Sequence, residues 1–189
     1  MGDPHFSTRA RRRAGSSPAG CLVAIVFAIA AAFVGYNYFI KDYNLRHPDQ
    51  MAQQLPEDNQ GATNEFRIKM AREVLKDEQS TCRLIGQYYV DVANRRLPDK
   101  KVYSVYEQMR RRLAGHMESV AARASPSMYF DAHRRNAHGI SHLYQCIVLL
   151  RQTPRVKDPK ERERLLQDAW TEYVKGQRGI EHAVSVIRL

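Results

Sequence analysis

The sequence predicts an all-α protein, with an N-terminal single transmembrane helix followed by an up-down-up-down four-helix bundle. Three observations carry this. Residues 21–40, "CLVAIVFAIAAAFVGYNYFI", run for twenty positions without a charge, about the length a helix needs to cross the hydrocarbon of a bilayer. Beyond residue 63, apolar residues recur every three or four positions in four successive stretches, the period of an amphipathic helix. The connections between those stretches are short, which makes consecutive helices antiparallel neighbours.

The N-terminal elements come first. Residues 1–20 read as a disordered basic terminus holding Arg9, Arg11, Arg12 and Arg13, whereas the far side of the apolar run opens with Lys41 and Asp42. The positive-inside rule then keeps residues 1–20 in the cytoplasm and exports residues 41–189. The destination is a bacterial periplasm bounded by the inner membrane, or the equivalent space of an organelle. A cleavable signal peptide is the rival reading, since "AIAAA" offers A-x-A sites, but the apolar run continues past them. Residues 41–63 contain two prolines and no apolar periodicity, so they read as a polar linker.

Residues 64–189 form the exported bundle. The first helix, about 64–96, places Ile68, Ala71, Leu75, Cys82, Ile85, Tyr89 and Val92 on its stripe. The second, about 100–124, presents Val102, Val105, Tyr106, Met109, Leu113, Met117 and Val120. On the third, about 126–152, the stripe is Ala137, Ile140, Leu143, Tyr144, Ile147 and Leu150. The fourth, about 159–188, offers Leu166, Ala169, Trp170, Tyr173, Ile180, Val184 and Ile187. "DPKE" at 158–161 marks its start, with Asp158 as N-cap, Pro159 at the first helical position and Glu161 closing a capping box. "SP" at 125–126 repeats the cap-then-proline pattern. Arg110, Arg111 and Arg112 read as a solvated face of the second helix.

Candidate chemistry concentrates in "HRRNAHGISHLYQC". His138, His142 and Cys146 follow one another at i, i+4, i+8, and imidazole and thiolate are ordinary zinc ligands. They are weak metal candidates: no CxxC or HExxH accompanies them, and at 100° per residue the histidines turn away from the Leu143–Leu150 direction. Cys146 has a different candidate partner in Cys82, on the stripe of the first helix. In an oxidising compartment the two are read as a disulfide; the alternative is two unpaired core cysteines. No cofactor is expected, because there is no CxxCH and His116 beside Met117 reads as a core pair. Without a phosphate loop, nucleophile elbow or paired carboxylates, an enzyme is not expected either.

Charge supplies the functional expectation. The formal net charge is +10, which favours anionic partners. In the predicted topology the first and third connections share one end. That end gathers Arg95, Arg96, Lys100 and Lys101 with Arg155, Lys157, Lys160, Arg162 and Arg164. Cations near helix C-termini follow from the helix dipole, but Lys160, Arg162 and Arg164 occupy the start of a helix, where the dipole disfavours them. The sequence thus predicts a membrane-anchored interaction or assembly module, an accessory subunit of a membrane-associated complex whose basic end contacts an anionic protein partner. An anionic surface or lipid is a further class of partner, and nucleic acid is not expected of an exported domain. The alternative function is a membrane-anchored bundle that binds a ligand or metal, as a sensor or a haem or zinc carrier.

Overall fold

The computed structural model describes residues 18–57 and 59–188. The chain divides into two units, Met1–Tyr38 and Phe39–Leu189. In the first, α1 (Pro18–Gly35) ends at Gly35 and a π-helical turn, Tyr36–Ile40, follows it across the boundary. Leu22, Ile25, Phe27 and Phe33 of α1 are exposed. Among the described residues, no helix is long and apolar enough to cross a membrane. The arginines expected on the cytoplasmic flank, like the rest of residues 1–17, lie outside the described residues.

The second unit is helical almost throughout. It comprises α2 (Lys41–Arg46), α3 (Gln60–Lys69), α4 (Leu75–Ala93), α5 (Asp99–Ala121), α6 (Ser127–Gln152) and α7 (Pro159–Arg188). Its extended structure among the described residues is a two-residue parallel pair, β1 (Gln53–Gln54) with β2 (Ala124–Ser125). The long helices pack as follows: α6 lies against α7 and α5, and α4 against α7 and α5. The α6 stripe read from the sequence is the centre of the core, with Ala137, Ile140, Leu143, Tyr144, Ile147 and Leu150 all buried. Each large apolar side chain buried this way contributes about 1.5–3 kcal/mol.

Glycines let α6 and α7 approach until their backbones touch. A Cβ on Gly139 would lie 2.9 Å from the Gly176 carbonyl oxygen, and one on Gly179 would lie 2.8 Å from that of Arg135. No side chain fits between helices at such separations.

The first long helix departs from a uniform period. It begins at Gln60, earlier than the periodicity suggests, because Asn59 caps it by accepting from the Ala62 N–H. A π-helical turn, Met70–Val74, then joins α3 to α4. The wider turn resets the buried row from Phe66, Met70 and Val74 to Leu75, Glu78, Cys82 and Ile85. Extrapolating a regular stripe backwards from Leu75 therefore selects Ile68, which is 46% exposed. At α7 the Asp158 carboxylate accepts from the Lys160 N–H at 3.0 Å, as the cap signal predicts. At α6 the start shifts past the expected Ser–Pro cap: Pro126 is the N-cap and makes no side-chain cap bond.

The segment expected as a polar linker is part of the packed unit. Leu45 is fully buried in the main core, and Pro48 is buried too. Asp42 accepts from Arg110 Nη1 and from the Tyr144 hydroxyl, each at 2.9 Å. Arg110 also grips Glu107 with two nitrogens, at 3.0 and 2.7 Å. This corrects the reading of Arg110 as a solvated residue; it is 4% exposed. The physical reason is that two carboxylates converge on it, and together they hold the guanidinium charged and raise its pKa.

Candidate functional site: the basic end of the helices

The α4–α5 and α6–α7 connections line one cleft of about 330 Å³. Val92, Leu97, Val102, Pro154, Val156 and Thr153 line it, Val92 and Val102 being almost fully buried, so most of its accessible surface is polar. Arg95 and Arg162 bring cations to it from the two connections. Asp99, at the first turn of α5, is an acid on the wall, where a carboxylate is favoured by the helix dipole.

Backbone geometry explains how Arg95 is placed. The Arg96 N–H donates to the Asp91 carbonyl at 2.8 Å and the Arg95 N–H to that of Val92 at 3.2 Å. This is the paired closure of a Schellman motif, and it requires a left-handed residue, usually glycine. Arg95 fills that position at φ 55°, the one positive φ at a non-glycine among the described residues. A side chain there costs about 1 kcal/mol.

The other cations are distributed around this feature. Arg162 is half-buried and donates Nη2 to the Val92 carbonyl at 2.8 Å, tying the first turn of α7 to the last turn of α4. Arg155 donates Nε to the Tyr103 hydroxyl at 3.0 Å and lies over that ring. Lys100, Lys101, Lys157 and Lys160 are exposed. Of the nine residues named from the sequence, Arg96 and Arg164 alone have a carboxylate partner among the described residues. Both contacts, to Asp91 and Asp168, are long at 3.9 Å, and surface pairs of that kind contribute little. Elsewhere on the unit Arg111, Arg123, Arg134, Arg135, Lys69 and Lys175 have acidic partners, whereas Arg67, Arg72, Lys76, Arg83, Arg112 and Arg178 have none among the described residues.

The histidine and cysteine candidates are not brought together. His138 Nε2 meets Asp49 at 2.7 Å, and His142 Nδ1 meets Glu172 at 2.7 Å. Cys146 is fully buried. Among the described residues no group of three or more His, Cys, Asp or Glu side chains is arranged to hold a metal. The expected Cys82–Cys146 disulfide is not formed; both are free, buried thiols. Burial pushes both thiols up from their ordinary range, and the Tyr173 hydroxyl bonds to Cys82 and partly opposes this. Cys82 thus has a partner other than Cys146, and both sulfurs pack as small core groups.

A second polar cluster gave no sequence signal. Glu78 of α4 is 1% exposed and accepts from Asn136 Nδ2 of α6 at 3.1 Å. Glu78 Oε2, Asn136 Oδ1 and both ring nitrogens of His133 have no hydrogen-bond partner. His133 is fully buried, edge-on to Phe66. The Val120 and Arg123 carbonyls lie beside its ring without reaching hydrogen-bond geometry; burial outweighs them and holds His133 neutral. Burial, with Asp77 nearby, pushes the Glu78 carboxyl up to about 8, against the opposing pull of Asn136 and Arg123. One turn along, His116 Nε2 meets the Thr81 hydroxyl at 2.9 Å, and burial holds its pKa down. An acid at a core position of the helical repeat, between Leu75 and Cys82, is the only trace this layer leaves in the sequence.

No protein-family model, curated protein or solved structure matches the chain.

Proposed function

We propose that this protein is a single-pass membrane-anchored interaction or assembly module, an accessory subunit of a membrane-associated complex, whose basic end contacts an anionic partner. The observation that carries the reading is the convergence of two connections distant in sequence on one cleft, with cations that lack acidic partners. Uncompensated charge projecting into water costs the fold little and raises the encounter rate with an anionic surface.

An up-down-up-down order of α3–α4, α5, α6 and α7 underlies this reading. Its support is the pairing of successive helices, the shared cleft at one end, and a second cluster that joins Phe66, Tyr129 and Ile187. Anchoring rests on the uncharged run at 21–40, and export of the second unit rests on the arginines before it.

Charge reversal tests the reading without touching the core. The full chain carrying Lys100→Glu, Lys101→Glu, Arg155→Glu and Lys157→Glu, solubilised from membranes and used as bait, is expected to lose the partners that the unaltered chain recovers. Equal recovery by both baits sinks the proposal. Protease treatment of sealed membrane vesicles tests the orientation: the second unit should be cut from the exported side alone.

A further inference from the structure

We infer that the cleft at the basic end binds a small zwitterion, a free amino acid with a short side chain. Its carboxylate meets Arg95 and Arg162, and its ammonium meets Asp99. This goes beyond the proposed function, because it gives the cleft a small-molecule ligand and leaves the exposed lysines around it to the anionic partner.

The charges that line the cleft carry the argument. Arg95 comes from the α4–α5 connection, Asp99 from the first turn of α5 and Arg162 from the first turn of α7. Although they share one cleft, none of the three has an ion-pair partner among the described residues. A simple anion here would lie beside Asp99, and a simple cation beside two guanidinium groups. Each would lose to the like charge part of what it gains from the opposite one. A ligand that carries both charges complements both.

The two arginines are also held in place. Arg162 is half-buried and commits a single donor to the Val92 carbonyl, at 2.8 Å. That bond orients the planar guanidinium and leaves the rest of its donor fork for a carboxylate. Arg95 sits at φ 55°, a conformation that glycine adopts without strain. A strained side chain kept at a cleft wall points to a role for that side chain.

Size and lining narrow the ligand further. At about 330 Å³ the cleft is at the small end of the range for small-molecule sites. Val92 and Val102 are only 3% and 2% exposed, so a large apolar side chain would find little surface to cover. A short or polar side chain fits.

Alanine and its two single-charge fragments make the test, by titration calorimetry on the detergent-solubilised full chain. Alanine and serine are expected to bind, and leucine to bind no more tightly than alanine. Propionate lacks the ammonium and ethylamine lacks the carboxylate; each should bind about tenfold more weakly, the loss of one charge-assisted contact. Asp99→Asn and Arg95→Gly should each weaken alanine by a similar factor. Arg95→Gly also relieves the left-handed strain, so its Tm should rise, which separates lost binding from a damaged fold.

Equal affinity for alanine and propionate would reduce the site to a plain anion contact and overturn the inference. Tighter binding of leucine than of alanine overturns it too, as does alanine binding that survives both substitutions. Absence of any amino-acid binding tighter than about 10 mM has the same consequence. The proposed function fails separately: Lys100, Lys101, Arg155 and Lys157 do not line the cleft, so unchanged partner recovery by the charge-reversed chain would leave the alanine titration as it stands.

Discussion

The two ends of α4 treat charge in opposite ways. Near its start, Glu78 is sealed from water against Asn136, with one oxygen unpartnered. Past its end, Arg95 and Arg96 stand in water, and Arg95, which lines a cleft, has no acidic partner among the described residues. A buried ionisable group costs free energy unless it is paired or neutralised, so the first region sets stability and its dependence on pH. An exposed cation costs almost nothing to keep, so the second region can be altered with little effect on the fold. Its value has to be sought in binding.

The largest expected effect sharpens this contrast through pH. The Glu78 carboxyl titrates near 8 in the folded protein, above its ordinary value of 4.5. The fold therefore holds a proton that the unfolded chain releases. The contribution of this group to stability is full below about pH 4.5, is lost as pH rises from there through 8, and levels off beyond. The total change from this group is on the order of 5 kcal/mol. Urea midpoints measured from acid to mildly alkaline pH should show the decline in the unaltered chain, and Glu78→Gln should flatten it. A decline that survives this substitution assigns it to other groups.

Next in size is Gly139→Ala, one turn from Asn136 on α6. The added methyl meets the Gly176 carbonyl and the Ile180 backbone, rigid groups that cannot swing aside. The cost should be about 3 kcal/mol, read as a lowered denaturation midpoint; an unchanged midpoint would mean that α6 and α7 separate freely. Arg110→Met follows, at about 2 kcal/mol, since it leaves Asp42 and Glu107 facing one another without their shared cation. It should also loosen residues 41–55, measurable as faster amide exchange there.

The smallest stability effect is expected at the basic end. Reversing Lys100, Lys101, Arg155 and Lys157 should shift the midpoint by about 0.5 kcal/mol or less, while partner recovery disappears. A large loss of stability would break the contrast, because it would make these cations part of the fold.

How much of this was legible in the sequence depends on the range of the interaction. The α6 stripe and the Asp158 cap are local, and they could be read directly. The convergence of two basic connections on one end followed from helix count and loop length. The π-helical turn could not be seen, because "MAREV" has no composition that distinguishes it from an α-helical turn, and it displaced the expected stripe to Ile68. Arg110 looked solvated because its partner Asp42 is 68 positions away. Residues 41–55 looked like a linker for the same reason: their partners, Arg110, Tyr144 and β2, are remote in the chain. Cys82 and Cys146 share a core, as their stripes imply, but sequence position does not determine whether two sulfurs meet. Glu78, Asn136 and His133 are ordinary polar residues until the fold encloses them.

The most direct test of the central claim is site-specific photo-cross-linking in intact cells. A photoreactive residue is placed at Lys100 or Lys157, at the basic end, and in a third strain at Met128, beside the α5–α6 connection. The account predicts the same partner adduct from Lys100 and Lys157 and none from Met128. An adduct from Met128 with none from the basic positions would contradict it.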